Sequence, residues 1–322
     1  MNYHFVVLQD NADYFRISWS DIGKLTDVEY YDRFPCGGRN ISKLLFKIHF
    51  SGKIRRYINL PFKSLWNKWF YTKRTEKPIC FIFSSRYAFL MYSGLIESLR
   101  AHYPGSKFVC FYQDIVATHT DVKITDVKKN FDLVISYDIE DAKRYSIVYH
   151  PTVYSLYRVE DDVSIPYSDI YFVGAAKDRL GDIIEIYDSL TSVGCKCDFY
   201  VTGLKEVNRI YRPGINYISS LSYEENLKHV KRTKAVLEIL QHGAVGHSLR
   251  LWEAIFYNKY FITNGEISES MKRNNRGVIS ADAVDIKTRI DDVSRVNKFS
   301  DDWKDLISVR GFLSFVEEQL EK

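Results

Sequence analysis

Short apolar runs separated by helical stretches recur along the chain, and this rhythm restricts the fold more than any other feature of the sequence. Residues 79–83, 108–112 and 133–136 read as strands, with a helix over 89–102, stopped by Pro104-Gly105, and a shorter helix over 140–145. Before them, apolar runs at 5–8 and 28–31 flank a helical stretch at 14–25. The rhythm restarts at 169–173, followed by a helix over 180–193 and strands at 197–201 and 215–218. A further helix, 222–232, opens on the capping box Ser222-Tyr223-Glu224-Glu225. Continuous apolar strands alternating with helices predict parallel sheets covered on both faces. The polar stretch 159–168 separates the two rhythms. Two Rossmann-like α/β domains are therefore expected, 1–158 and 169–300, with 301–322 as a terminal helix carrying Trp303, Phe312 and Val316 at helical spacing.

The densest chemistry lies in 233–265: a strand (235–240), a glycine-bearing turn (241–246), an amphipathic helix (248–258) and a second strand (260–263). His247 and Ser248 stand at the helix start, where a hydroxyl can cap open backbone N–H groups. Those groups and the positive end of the helix dipole favour an anion, most often a phosphate. Arg250 suits a two-pronged contact to that phosphate, and Glu253 suits a ribose diol. The strand 169–173 runs into Gly174-Ala175-Ala176-Lys177-Asp178-Arg179. Small residues there let backbone approach a pyrophosphate, and Lys177 and Arg179 add positive charge. Gly203 ends the next strand. The pattern is not G-x-G-x-x-G and no acidic residue closes the following strand, which disfavours a nicotinamide site. At the strand ends of the first half stand Asp10, Asp114 and, a few residues on, His119, where open α/β sheets place ligands.

The string Gly246-His247-Ser248-Leu249-Arg250-Leu251-Trp252-Glu253-Ala254-Ile255, closing on Thr263-Asn264, resembles the donor-nucleotide segment of GT-B glycosyltransferases. More narrowly, it is similar to bacterial capsular and lipopolysaccharide (polysaccharide) biosynthesis proteins. DLVISYDIEDAKRYSIVYHPTVY, VGAAKDRL, CDFYVTG and SYEENL carry the same resemblance, which covers 132–265. It implies two Rossmann-like domains facing a cleft, with the terminal helix packing back across the linker. It also implies sugar transfer from a nucleotide-sugar, a substrate and not a cofactor, to a growing lipid-linked cell-surface glycan. The donor would be held by Gly174, Lys177, Arg179, Gly203, His247, Ser248, Arg250 and Glu253. Helix N-termini and basic residues would stabilise the departing diphosphate, so no metal is expected. Many such enzymes carry E-x7-E; Glu253 matches the second position, but Val245 occupies the first, so donor-sugar contacts and retaining stereochemistry do not carry over. An inverting reaction needs an acceptor-side base, for which Asp10, Asp114 and His119 are the candidates. The rival is a catalytically silent donor-binding or scaffold subunit, which would lack that base.

Charge and cysteine usage bear on location. Five cysteines, mostly in apolar runs, read as buried thiols of a reducing compartment. The opening MNYHFVVLQD has no signal-peptide pattern and no apolar run is long enough to span a bilayer, so a cytoplasmic chain is expected. The net charge is only +4, yet 39–77 holds eleven basic side chains against the single acid Glu76. Lys53, Arg55 and Arg56, with Trp66 and Trp69 nearby, suit an anionic membrane surface and a lipid-linked acceptor. Each basic group near the lipid contributes about 1 kcal/mol, and tryptophans sit at headgroup depth. Nucleic acid attracts the same charges, but no recognised nucleic-acid motif accompanies them, so peripheral attachment at the inner membrane face is expected. Asp161-Asp162 is an acidic pair in a polar linker with no buried strand before it, and no metal site is expected there.

Overall fold

The structure, a computed structural model, describes all residues except 11, 32–39, 52–53, 55–57, 59, 74, 242–246, 268–276, 293–298 and 300. The chain divides into two compact units, one of Met1–Val153 with Val309–Lys322, the other of Tyr154–Ser308. The polar stretch 159–168 thus belongs to the second unit. Lys231 Nζ donates to the Val159 carbonyl at 3.2 Å, and the Arg232 guanidinium holds the Ile165 carbonyl at 2.5 Å. The acidic pair of that stretch is divided: Asp161 meets Arg232 at 3.0 Å, while Asp162 accepts from Ser164.

Among the described residues each unit builds one six-stranded sheet, and every pairing is parallel. The first unit contains β1 (His4–Leu8), β2 (Val28–Tyr31), β3 (Ile79–Ser84), β4 (Lys107–Tyr112), β5 (Leu133–Ser136) and β6 (Val148–Tyr149), in the order β2-β1-β3-β4-β5-β6. The order reverses between β1 and β3. Strand alternation divides the core into two layers. Phe5 and Val7 pack with Ile82, Val109 and Phe111, while Val6 and Leu8 pack with Phe81, Phe83 and Phe108. Full burial of each such side chain contributes about 1.5–3 kcal/mol.

Helices α1 (Asp13–Ser18), α2 (Asn40–His49), α3 (Leu95–His102), α4 (Ile124–Asn130) and α5 (Ile139–Tyr145) accompany this sheet. The helix expected over 89–102 is broken: Ser85–Ser93 is 3-10 and α3 starts only after Gly94, whose φ of 71° needs glycine. The terminal helix expected over 301–322 is divided: Asp301–Ile307 belongs to the second unit and Val309–Leu320 to the first, where Phe312 packs on Trp19 and Phe111.

The basic segment corrects one expectation. Trp66 and Trp69, on the 3-10 helix Lys63–Phe70, turn inward onto Phe46 of α2, and Trp66 Nε1 donates to His49 Nδ1 at 2.8 Å. Large rings find more apolar contact beneath the two helices than at their surface. Among the described residues of the segment, Leu44, Leu45, Ile48, Ile58, Phe62 and Leu65 are aliphatic or phenyl side chains left exposed. Lys53, Arg55 and Arg56 lie outside the described residues.

The second unit contains β7 (Ser168–Ala175), β8 (Cys197–Thr202), β9 (Ile215–Tyr217), β10 (Thr233–Glu238), β11 (Tyr260–Thr263) and β12 (Val278–Ser280). Their order, β12-β11-β10-β7-β8-β9, is the dinucleotide-fold order, with its switch point between β7 and β10. Helices α6 (Leu180–Ser192), α7 (Tyr223–Lys231), α8 (Leu249–Phe256), α9 (Ile286–Asp291) and α10 (Asp301–Ile307) precede α11 (Val309–Leu320) of the first unit. Ser222 caps α7 by accepting from the Glu225 N–H at 3.1 Å, as its capping box predicts. Among the described residues no helix is long and apolar enough to cross a membrane.

Candidate functional site

In the second unit the loops after β7 and β10 flank the switch point, where sheets of this order place their ligands. Lys177 Nζ reaches across to Gln241 Oε1 at 3.0 Å. Lys177 holds a left-handed φ of 41°, a conformation that side-chain-bearing residues adopt at some cost in strain. Arg179 ties the two loops from beneath. Its Nε donates to the Ala175 carbonyl at 3.1 Å, its Nη1 donates to the Ile239 carbonyl, and its guanidinium lies over the Phe172 ring. Burial and the neighbouring Arg250 charge lower its proton affinity. A Cβ on Gly174 would sit 2.7 Å from Arg179 Nη2, so this glycine makes room for a side chain of the protein. Gly203, after β8, has a φ of 72° that only glycine adopts freely.

The start of α8 is fixed by Glu238, the buried last residue of β10. Its carboxylate accepts from the Ser248 N–H at 2.5 Å and from Thr263 Oγ1 at 2.9 Å, and lies 2.9 Å from His247 Nδ1. Ser248 Oγ then caps the helix by accepting from the Arg250 N–H at 3.3 Å. Asn264 Oδ1 accepts from the Leu240 N–H at 2.8 Å, so both strand ends are secured. His247 packs edge-on against Phe261.

Glu253 departs from its expected place. It is fully buried, and its carboxylate accepts from Arg250 Nη1 and, at 3.0 Å, from Asn226 Nδ2. Asn226 Oδ1 in turn accepts from Arg250 Nη1 at 3.0 Å and from the Tyr171 hydroxyl at 3.1 Å. In this arrangement Glu253 orients Arg250 and does not itself open to a ribose, because an ion buried this deeply needs a charged partner. Burial opposes the Arg250 charge, but the Glu253 carboxylate outweighs it and holds the guanidinium above its ordinary value. Arg250 keeps 18% of its side chain exposed, and these bonds use Nη1 alone.

The first unit gathers the base candidates. Asp10, after β1, pairs with Arg86 Nε, after β3, at 2.8 Å, across that sheet's own switch point. A pocket of about 420 Å³ holds Arg86, Asp114 and His119 together. His119 Nε2 lies 3.1 Å from Ser85 Oγ, and its ring stands edge-on to Tyr112. Burial pushes its proton affinity below the ordinary histidine value; Asp114 opposes this and Arg86 reinforces it. Ser85 and Arg86 were not singled out from sequence, although their position at a strand's carboxyl end was the available signal. Asn226 gave none, because only tertiary packing brings α7 to α8. Among the described residues no group of three His, Cys, Asp or Glu side chains is gathered as a metal site requires.

No protein-family model matches the chain, and no curated protein matches it. Solved structures do. Anabaena HepE in complex with UDP and glucose matches with a TM-score of 0.57 at 12% identity, covering 98% of each chain. An alpha-glucosyltransferase in complex with UDP and mismatched DNA matches with a TM-score of 0.53 at 10% identity, covering 96% of this chain and 90% of that one. At such identities the likeness is one of fold. The chain has the two parallel-sheet, Rossmann-like α/β domains of GT-B glycosyltransferases.

Proposed function

We propose that the protein is a glycosyltransferase that moves a sugar from a nucleotide-diphosphate donor, held by the second unit, to a glycan acceptor held by the first. The observation that carries this reading is the construction of the β7–β10 switch point. Lys177 stands on one loop, and a serine-capped helix start with an oriented Arg250 stands on the other. A diphosphate needs such donors and charges, and they would also stabilise the charge that grows on it as the sugar departs. Glu238 and Glu253 act from behind, the first fixing the helix start and the second fixing Arg250. Anabaena HepE, whose fold is similar, was solved with UDP and glucose. The finer reading is a metal-independent transferase at the cytoplasmic face of the plasma membrane. There it would build a capsular or lipopolysaccharide-type glycan on a lipid carrier, with the basic segment 39–77 drawing it to anionic lipid.

Thermal unfolding of the full chain with a panel of nucleoside diphosphates and nucleotide-sugars tests the donor site. A ligand present at about 100 times its Kd stabilises the unit by about 2.7 kcal/mol. Lys177→Ala should weaken that ligand by about tenfold, the cost of one charged hydrogen bond. No shift with any nucleotide would remove the reading.

A further inference from the structure

Exposed apolar side chains gather in one part of the first unit, on α2, on the 3-10 helix Lys63–Phe70 and on the chain between them. Single exposed apolar residues need no explanation, but a run of them on neighbouring elements marks a surface that meets something apolar. Helical spacing arranges this run. Phe46 of α2 and Phe50 just beyond it point inward, where Phe46 packs on Trp66 and Trp69, and Phe50 on Phe89. Leu44 and Ile48, one turn apart on the opposite side, are 59% and 38% exposed, with Leu45 beside them. The helix carries two apolar stripes, and among the described residues only the inner one is covered.

The Lys63–Phe70 helix repeats the arrangement with a period of three. Trp66 and Trp69 form the row that turns inward, and buried Phe70 roots the helix in the core of the unit. Leu65 and Lys68 form an exposed row, and Phe62 stands one turn before them. Phe62 is 71% exposed and holds a left-handed φ of 63°, a strained conformation for a bulky residue.

Charge decides what covers this surface. The segment 39–77 holds eleven basic side chains against the single acid Glu76, and Lys68 and Lys73 are exposed. A second copy of the chain would bring the same cationic surface onto itself, because a two-fold contact joins like patches. A nucleic acid would meet the charges but leave the aliphatic rows in water. An anionic bilayer answers both, with acyl chains against the apolar rows and headgroups against the cations. We infer that α2 and the Lys63–Phe70 helix form a membrane-insertion surface, with Leu44, Ile48, Phe62 and Leu65 entering the acyl region of anionic lipid and Lys68 held among the headgroups. The tryptophans are the support behind this surface and not its anchors. The inference deepens the membrane part of the proposed function and rests on it, because attraction by charge alone would leave these side chains in water.

The test uses the full chain, with vesicles of phosphatidylcholine containing phosphatidylglycerol and vesicles of phosphatidylcholine alone. Nitroxides are attached singly at Leu44→Cys, Phe62→Cys, Leu65→Cys and, at an exposed site of the second unit, Val284→Cys; the unsubstituted chain treated alike gives the background. On anionic vesicles, accessibility to oxygen and to a nickel chelate should place the first three labels about 5–10 Å into the headgroup–acyl boundary and leave the fourth in water. Raising salt from about 0.15 M to about 1 M shortens the screening length from about 8 Å to about 3 Å, which should lower the bound fraction without changing the depth of what stays bound. Leu44→Ser combined with Leu65→Ser should lower the partition constant about tenfold or more at both salt concentrations, with the unfolding temperature unchanged. Nucleotide binding and light scattering are measured on the same samples. Vesicle binding with all labels left in water, or with only the Val284→Cys label immersed, overturns the insertion surface while membrane attachment stands. Binding to neither kind of vesicle overturns both. Equal partition into the two kinds overturns the part played by lipid charge. A dimer in solution that the serine variant dissociates overturns the inference in favour of a second copy. Insertion by a chain that binds no nucleotide upholds this inference and removes the sugar-transfer reading.

Discussion

Replacing Glu253 with alanine separates a positioning role from a ligand contact. The carboxylate is fully buried and is shared between Arg250 and Asn226. Removing it leaves a guanidinium with no counter-charge and an amide donor with no acceptor. Breaking one side of a buried ion pair costs about 3–5 kcal/mol, and a stranded donor costs about 1–3 kcal/mol. The two losses fall in one network and do not add, and Arg250 keeps some contact with water, so about 3–5 kcal/mol is the expected total. For a unit of this size that corresponds to a melting shift of about 6–20 °C. Thermal unfolding of the full chain measures the loss, and amide hydrogen exchange in α7 and α8 peptides locates it. Glu253→Leu combined with Arg250→Met should recover at least half, because no charge is then left unpaired. A single variant within about 1 kcal/mol of the unaltered protein, with nucleotide affinity reduced tenfold or more, would refute the reasoning and place the carboxylate at the ligand.

Three further outcomes are expected. Burial would raise the Asp169 carboxyl, but the Lys196 N–H, Lys234 and Lys287 outweigh it and hold it at about 2. Its contribution, up to about 2 kcal/mol, is present above the unfolded value near 3.9 and disappears as pH falls through about 2; acid titration of Asp169→Asn should lack that segment of stability loss. Exchanging exposed Leu44, Ile48 and Phe62 for serine should reduce pelleting with anionic vesicles while nucleotide affinity holds; pelleting with neither kind of vesicle would refute membrane attachment, and equal pelleting with both would refute attraction by the basic side chains. Chelator should leave sugar transfer largely intact if Lys177, Arg250 and the start of α8 hold the diphosphate, whereas a strict magnesium or manganese requirement would refute that assignment.

The α/β rhythm was legible because a strand buried on both faces must be continuously apolar, as in Ile79–Ser84, all of it buried. Strand order was not legible, since adjacency is decided by how crossovers pack and not by any one strand's composition. Polarity in 159–168 reported exposure to water, not membership of a unit. That stretch is fastened to the second unit by backbone carbonyls that Lys231 and Arg232 hold, and carbonyls carry no sequence signature. The tryptophans of the basic segment failed for a related reason. Charge density predicts what a surface attracts, but whether a ring beside it faces outward depends on the phase of the helix, and Phe46 of α2 supplied the inward partner.

The candidate donor site shows where a stricter reading of the same residues would have gone further. Arg250 and Glu253 were expected as two separate contacts to one ligand because both lie near the start of α8. Their i,i+3 spacing already makes them neighbours on a helix. The helix carrying them is Leu249–Phe256, LRLWEAIF, whose two charges share one face. Leu251, Trp252, Ala254 and Ile255 are buried and so is Glu253, whereas Leu249, Arg250 and Phe256 keep partial exposure. A carboxylate on the buried part of a helix must find its counter-charge inside the protein. The nearest one available is its i,i+3 neighbour, and the arginine, whose longer stem can reach the edge of the buried region, is the member of the pair that keeps access to a ligand.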